Sequence, residues 1–323
     1  MPVDPIITQQ GPRFPEDPRR GDVGARRRRL EAEYIDVMER FFPPRISPAT
    51  TLERSVPNAY GGPPVPIRIF QPPGATTGGV FVYFFGGAWW LRSYNAPDVL
   101  DRCAHIAVQA GVTVVEVDYP LAPENPYPAA IDAGESVIQW LLTDRHGLDV
   151  EATRIALGGF SAGGNIAAAL TLRLTERLPD WRIATLILEA PVLDATQRHY
   201  TPYAAPPGEF EQTRQDLAAA VQLYIQDRVT VEHPHVSPLL SEDLSAFPPT
   251  HILVGEYDIL APEAQAFAGR LLDSGVEVVS LTFSGQTHLT HALTTISAAA
   301  RAWRAHVVSA LLPLGWDANA LRP

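Results

Sequence analysis

Hydrophobic positions along this chain gather into short continuous runs separated by longer amphipathic stretches. The runs "GGVFVYFF" (78–85), "VTVVEVDY" (112–119), "RIALGGF" (154–160), "ATLILEAP" (184–191), "THILVGEYD" (250–258) and "VEVVSLTFSG" (276–285) are near-continuous, while "VPIRIF" (65–70) alternates. Runs of this length predict strands, and those without polar alternation predict strands covered on both faces. The segments between them, such as "AAIDAGESVIQWLLTD" (129–144) and "APEAQAFAGRLLDSG" (261–275), carry apolar residues at helical spacing. Strands alternating with helices predict an α/β fold built on a mostly parallel sheet with helices on both faces.

Two regions depart from that rhythm. Near the N-terminus, Leu30, Tyr34, Val37, Met38 and Phe41 fall at helical spacing and predict a helix from about Ala25. Its leading arginines, Arg26 to Arg29, read as a solvated helix end balanced by Glu31 and Glu33. The residues before it, rich in Pro, Arg and Asp, predict an extended arm. Between "APVLD" and "PPTHILV" no strand is predicted; this stretch holds the aromatic and proline-rich "RHYTPYAAPPGEF" (198–210) and a helical "QTRQDLAAAVQLYIQD" (212–227).

Composition narrows the function. The 323 residues are 46% hydrophobic and 19% charged, a globular balance with enough apolar residues to bury a core unaided. A formal net charge of −11 argues against nucleic acid and anionic membrane surfaces as partners. All the cationic residues other than histidine are arginine, consistent with a GC-rich coding bias. The single cysteine, Cys103, rules out an internal disulfide or a cysteine metal cluster, and a reducing, cytoplasmic location is expected. No run approaches the roughly 18 apolar residues of a membrane span.

The most informative motif is Gly159-Phe160-Ser161-Ala162-Gly163. A predicted strand precedes it and an Ala/Leu-rich helix follows. A serine on so sharp a turn stands in strained geometry, so the positions two residues away must be small. Its hydroxyl then projects above a helix N-terminus suited to developing negative charge. Such a nucleophile needs a base, and the base an orienting acid. In this architecture they follow in the order Ser, acid, His. Asp258 ends one later strand and His288 follows the next, so both fall at the sheet edge that carries the serine. Glu256 is the alternative acid, placed within its strand. His291, one turn beyond His288, is the alternative base and is expected in the following helix. A metal pair of His288 and His291 lacks a third ligand, and the "HPH" at 233–235 sits in a proline turn; neither metal nor cofactor is expected.

Together with these residues, "GFSAGG" (159–164), "DYPLAPE" (118–124), "HVSPLL" (235–240) and "GEYDIL" (255–260) resemble the hormone-sensitive-lipase-like carboxylesterases, bacterial family IV, of the α/β-hydrolase superfamily. The likeness runs from about residue 50 to the end. It implies an eight-stranded sheet with a helical cap, made from residues 1–48 and an insertion at about 196–248 within a hydrolase domain of 49–323. It also identifies "FFGGAWW" (84–90) as similar to the family's H-G-G-G-W oxyanion loop, implying backbone donors at Gly87, Ala88 and Ala162. Two positions depart from the pattern: Phe85 stands where the family carries histidine, and Phe160 where it carries aspartate. They are either packing substitutions or a remodelling of the active centre.

The resemblance implies a serine carboxylester hydrolase acting on a small, neutral, largely apolar ester, as a monomer or homodimer. Phe85, Trp89, Trp90, Phe160, Tyr200, Tyr203 and Phe210 are candidate pocket residues, with Tyr224 nearby; the cap aromatics either line the pocket or form the cap's own core. Because the base must be neutral, activity is expected to rise through roughly pH 6 to 8. The same triad also serves acyl transfer, lactone formation or elimination, and a catalytically retired ligand-binding protein is a third class.

Overall fold

The apolar runs become the interior strands of a single sheet in the computed structural model, which describes residues 3–4, 21–43, 47–74, 76–143, 147–202 and 209–315. The strands are β1 (Thr50–Val56), β2 (Val65–Gln71), β3 (Val80–Phe84), β4 (Thr113–Val117), β5 (Ile155–Phe160), β6 (Leu186–Glu189), β7 (Thr250–Tyr257) and β8 (Val278–Thr287). Their order across the sheet is β1-β2-β4-β3-β5-β6-β7-β8. β2 runs antiparallel to both of its neighbours, and every pairing from β4 to β8 is parallel.

Every residue of β3, β4, β5 and β6 is buried, as expected of strands covered on both faces. The outer strands read differently. β8 alternates partly buried with exposed positions along its first half, and β1 buries only Val56 fully. This explains why no apolar run announces β1: an edge strand open to solvent needs few apolar residues.

The helices are α1 (Val23–Phe41), α2 (Pro97–Ala110), α3 (Ala129–Thr143), α4 (Ala162–Arg177), α5 (Glu209–Ile225), α6 (Ala261–Asp273) and α7 (Ala298–Gly315). Pro at the second position of α6 and the left-handed Gly111 after α2 are sequence-encoded start and stop signals. α2 packs against α7 and α3 against α4. Glu189, at the end of β6, ties the first pair to the sheet: its fully buried carboxylate meets Arg102 of α2 and accepts from Trp303 Nε1 of α7 at 2.7 Å. A buried carboxylate without such partners would be costly. No helix among the described residues is long and apolar enough to cross a membrane.

Parallel strands bring their C-terminal ends to one edge. The turn after β5, the turn after β7, the turn after β8 and the loop after β3 all lie there. The long connection from β6 to β7 carries α5 and a short 3-10 turn at Pro238–Leu240.

Candidate active site

Ser161 occupies the junction of β5 and α4 with φ 56° and ψ −118°, a conformation that L-residues with side chains adopt rarely. Backbone contacts hold it there. Its N–H donates to Glu189 O at 2.8 Å, and its carbonyl accepts from Asn165 N at 3.0 Å. The flanking glycines are obligatory for space. A Cβ on Gly159 would come within 2.5 Å of the Gly163 backbone, and one on Gly163 within 2.1 Å of Phe84 O. Ala162 is the first residue of α4, where backbone N–H groups have no intrahelical acceptor.

Two histidines and two carboxylates competed for the partner roles, and distances separate them. His288 Nε2 lies 3.0 Å from Ser161 Oγ, while its Nδ1 lies 2.7 Å from Asp258 Oδ2. All three side chains are more than nine-tenths buried. The second carboxylate oxygen of Asp258 accepts Leu260 N at 3.0 Å, fixing its orientation. Glu256 is engaged elsewhere: at the register shift between Gly255 and Tyr257, its Oε2 accepts Gly285 N at 2.7 Å and so bridges β7 to β8.

His291 corrects one expectation. It lies in the 3-10 turn His288–Ala292, ahead of the helix α7 that begins at Ala298, and not in the helix itself. Its ring stacks on Phe160, with centroids 3.6 Å apart, and its Nδ1 is buried without a hydrogen-bond partner among the described residues. Burial, reinforced by the charge of Arg102 and by His288, holds its pKa well below the ordinary histidine value. The sign of the consequence follows from linkage. The unfolded chain takes up a proton at this histidine as pH falls through about 6.5, the folded chain does not, and stability is lost below that pH by up to about 1.4 kcal/mol per unit. The Tm of the wild type is therefore expected to fall further between pH 7 and pH 5 than that of His291→Gln. Equal falls in calorimetry would assign the acid sensitivity elsewhere.

The loop after β3 doubles back on itself. Gly87 has φ +142°, and a Cβ there would meet Leu91 O at 2.2 Å; its carbonyl accepts from both Trp90 N and Leu91 N. Ala88 and Trp89 follow with φ 49° and 62°, two consecutive left-handed residues that are not glycine. Each costs of order 1–3 kcal/mol and persists only because the surroundings impose it. In the loops and turns, neither Gly87 N nor Ala88 N donates to a backbone carbonyl among the described residues.

The two aromatic departures are both packed against neighbouring rings. Phe85 is completely buried and stacks on Tyr119 with centroids 4.4 Å apart, while Tyr119 OH donates to Phe85 O at 3.0 Å. Phe160 lies between the loop and His288: the two rings are 4.7 Å apart, and a Cβ on Gly86 would come within 2.5 Å of the Phe160 ring. Both rings fill space around backbone groups without replacing them.

Of the other predicted pocket residues, Trp89 is buried and stacks on Tyr224 of α5, nearly parallel at 4.8 Å. The indole N–H and the phenol are both buried without a partner among the described residues. Trp90 is also buried. Tyr200 and Phe210 are partly buried against the core, and Tyr203 lies outside the described residues. Among the described residues there is no group of three or more His, Cys, Asp or Glu side chains able to hold a metal ion.

A second departure from the sequence reading concerns the arginine run. Arg29 pairs with Glu33 on the exposed face as expected. Arg27 and Glu31, however, turn inward, onto the loop that follows β3. Arginine runs give no pattern from which this face could be picked out, because solvent and a polar backbone satisfy a guanidinium equally well.

The geometry agrees with the comparisons. A family model described as the alpha/beta hydrolase fold matches residues 81–292. An arylesterase of Saccharolobus solfataricus is 33% identical over 224 residues, covering 69% of this chain and 72% of its own. Carboxylesterase NlhH of Mycobacterium tuberculosis is 32% identical over 241 residues, 73% of this chain and 74% of its own. An esterase structure from Pyrobaculum calidifontis matches with a TM-score of 0.84 at 25% identity, covering 97% of this chain and 99% of its own. This chain belongs to the α/β-hydrolase fold family, among its hormone-sensitive-lipase-like carboxylesterases.

Proposed function

We propose that the chain is a serine carboxylester hydrolase in which Ser161 is the nucleophile, His288 the general base and acid, and Asp258 the residue that fixes the histidine's tautomer. The observation that carries the reading is the unbroken relay of 3.0 and 2.7 Å from serine to histidine to aspartate at the carboxyl edge of the sheet. With Nδ1–H held by Asp258, Nε2 is free to accept the serine proton as Oγ attacks the ester carbonyl. The negative charge that forms on the carbonyl oxygen is received by the backbone N–H groups of Gly87, Ala88 and Ala162. His288 then returns the proton to the departing alcohol, leaving an acyl-enzyme. Water, deprotonated by the same histidine, releases the acid.

The strandless insertion at about 196–248, with the helix of residues 1–48, serves as the cap over this edge. The stacking of Trp89 on Tyr224 supports that reading, since it packs the loop after β3 against α5. An apolar surround of Trp89, Phe160 and the cap aromatics favours a neutral ester as substrate. Relatives named arylesterase and carboxylesterase bring aryl and simple alkyl esters forward as the first to try. One buried free thiol, Cys103, accords with a reducing cytoplasmic setting.

The test is direct. Purified protein is expected to hydrolyse p-nitrophenyl acetate or butyrate with an initial burst, and to be labelled by a fluorophosphonate on the peptide containing Ser161. Well-folded protein that neither turns over these esters nor takes the label would overturn the reading.

A further inference from the structure

We infer that Arg27, supported by Glu31, is a positioning residue for the oxyanion loop, acting from the N-terminal helix through the loop's backbone. This rests on the reading of Gly87 and Ala88 as oxyanion donors. Arg27 is separated from that loop by about sixty residues of sequence, yet its side chain is only 16% exposed. Its Nε donates to Trp90 O at 2.6 Å, and one terminal nitrogen donates to Ala122 O at 2.6 Å and to Glu124 Oε2 at 2.7 Å. The other terminal nitrogen reaches Glu124 Oε1 at 3.2 Å. One turn along the same face, Glu31 Oε1 accepts Arg92 N at 2.6 Å. The spacing of 27 and 31 is the i, i+4 step of a helix face, so a single surface of α1 grips the chain on both sides of Leu91.

The grip falls where the loop needs it. Gly87, Ala88 and Trp89 all have positive φ, and the two that are not glycine hold that shape only while their surroundings impose it. On the entering side the loop is held by Tyr119 OH on Phe85 O and by Ser93 Oγ on Gly86 O. On the leaving side the holds are Ala122 N on Trp89 O, Arg27 on Trp90 O and Glu31 on Arg92 N. Arg27 joins the loop to the Ala122 turn, so it links two of these elements at once. Its charge-assisted bonds to carbonyls are the stronger part of the contact. The pair with Glu124, which is 52% exposed, adds little.

The experiment compares Arg27→Ala, Arg27→Lys, Glu31→Leu and a control, Arg29→Ala, whose side chain pairs with Glu33 on the exposed face. Each is assayed for kcat and KM on p-nitrophenyl butyrate, for inhibition by a boronic acid that mimics the tetrahedral adduct, and for endpoint labelling by fluorophosphonate. Because the loop acts on the transition state, Arg27→Ala is expected to lower kcat by about 10- to 100-fold with KM little changed. Boronate affinity should fall by a similar factor, and endpoint labelling should stay complete. Arg27→Lys should recover part of the loss, Glu31→Leu should show a smaller loss of the same kind, and Arg29→Ala should match wild type. Unchanged kcat in Arg27→Ala and Glu31→Leu overturns the inference. So does a fall in kcat matched by the fraction of enzyme that labels, since that is loss of fold. Failure of the underlying reading looks different: kcat would then fall in Arg27→Ala with boronate affinity unchanged, because the loop would not be holding the oxygen of the tetrahedral adduct.

Discussion

Ser161→Ala is expected to abolish ester hydrolysis, lowering kcat by about 10⁶-fold, because it removes the oxygen that takes up the acyl group. The substitution removes one oxygen and little else. Alanine keeps the Cβ, so the strained turn at φ 56° is no harder to form than before. The serine side chain makes no capping bond to α4, and its Oγ meets His288 Nε2 at 3.0 Å. The variant should therefore keep the wild-type circular dichroism and a Tm within a few degrees, and lose the burst. A residual rate above water is expected from the oxyanion donors and from binding, on the order of 10³–10⁴. Turnover close to wild type would move the chemistry to another site.

The second largest effect separates two carboxylates that stand two residues apart. Asp258→Asn is expected to cost about 10⁴ in kcat. The asparagine can still accept Leu260 N through its oxygen, which then presents its NH₂ to His288 Nδ1. An amide donor there forces the proton onto Nε2, the atom that must accept from Ser161. Geometry survives and the tautomer is wrong. Glu256→Gln is the contrast: a glutamine oxygen can still accept Gly285 N, so the β7–β8 bridge persists and kcat should change by less than a few fold. The reverse outcome, a large loss in Glu256→Gln with Asp258→Asn near wild type, would make Glu256 the acid.

Much of this site was legible before any coordinates. Ser161 is declared by its two glycine neighbours: a side chain on Gly159 would collide with the Gly163 backbone inside the same five positions, and one on Gly163 would collide with Phe84 O at the end of β3. Asp258 and His288 are found by counting strands, since a parallel sheet sends every carboxyl end to one edge. The seven apolar runs all became strands, whereas β1, with its mostly exposed residues, could be expected only from the family resemblance.

Other features depended on what meets what. Phe85 and Phe160 were ambiguous in sequence, and only the fold shows the rings they meet, Tyr119 and His291. His291 was expected in the next helix and instead closes a 3-10 turn under Phe160. Arg27 looked like one of four solvated arginines until Trp90 O and Ala122 O appeared beside it.

The division has a physical cause. The sequence alone determined the strand and helix alternation, the elbow and the order of the triad, because hydrophobic period and steric exclusion act between near neighbours. Only the tertiary structure decided which histidine faces Ser161 across 127 residues, and which face of α1 meets the loop after β3. Those are contacts between side chains and distant backbone, and a hydrogen-bond donor carries no mark of the acceptor it will meet.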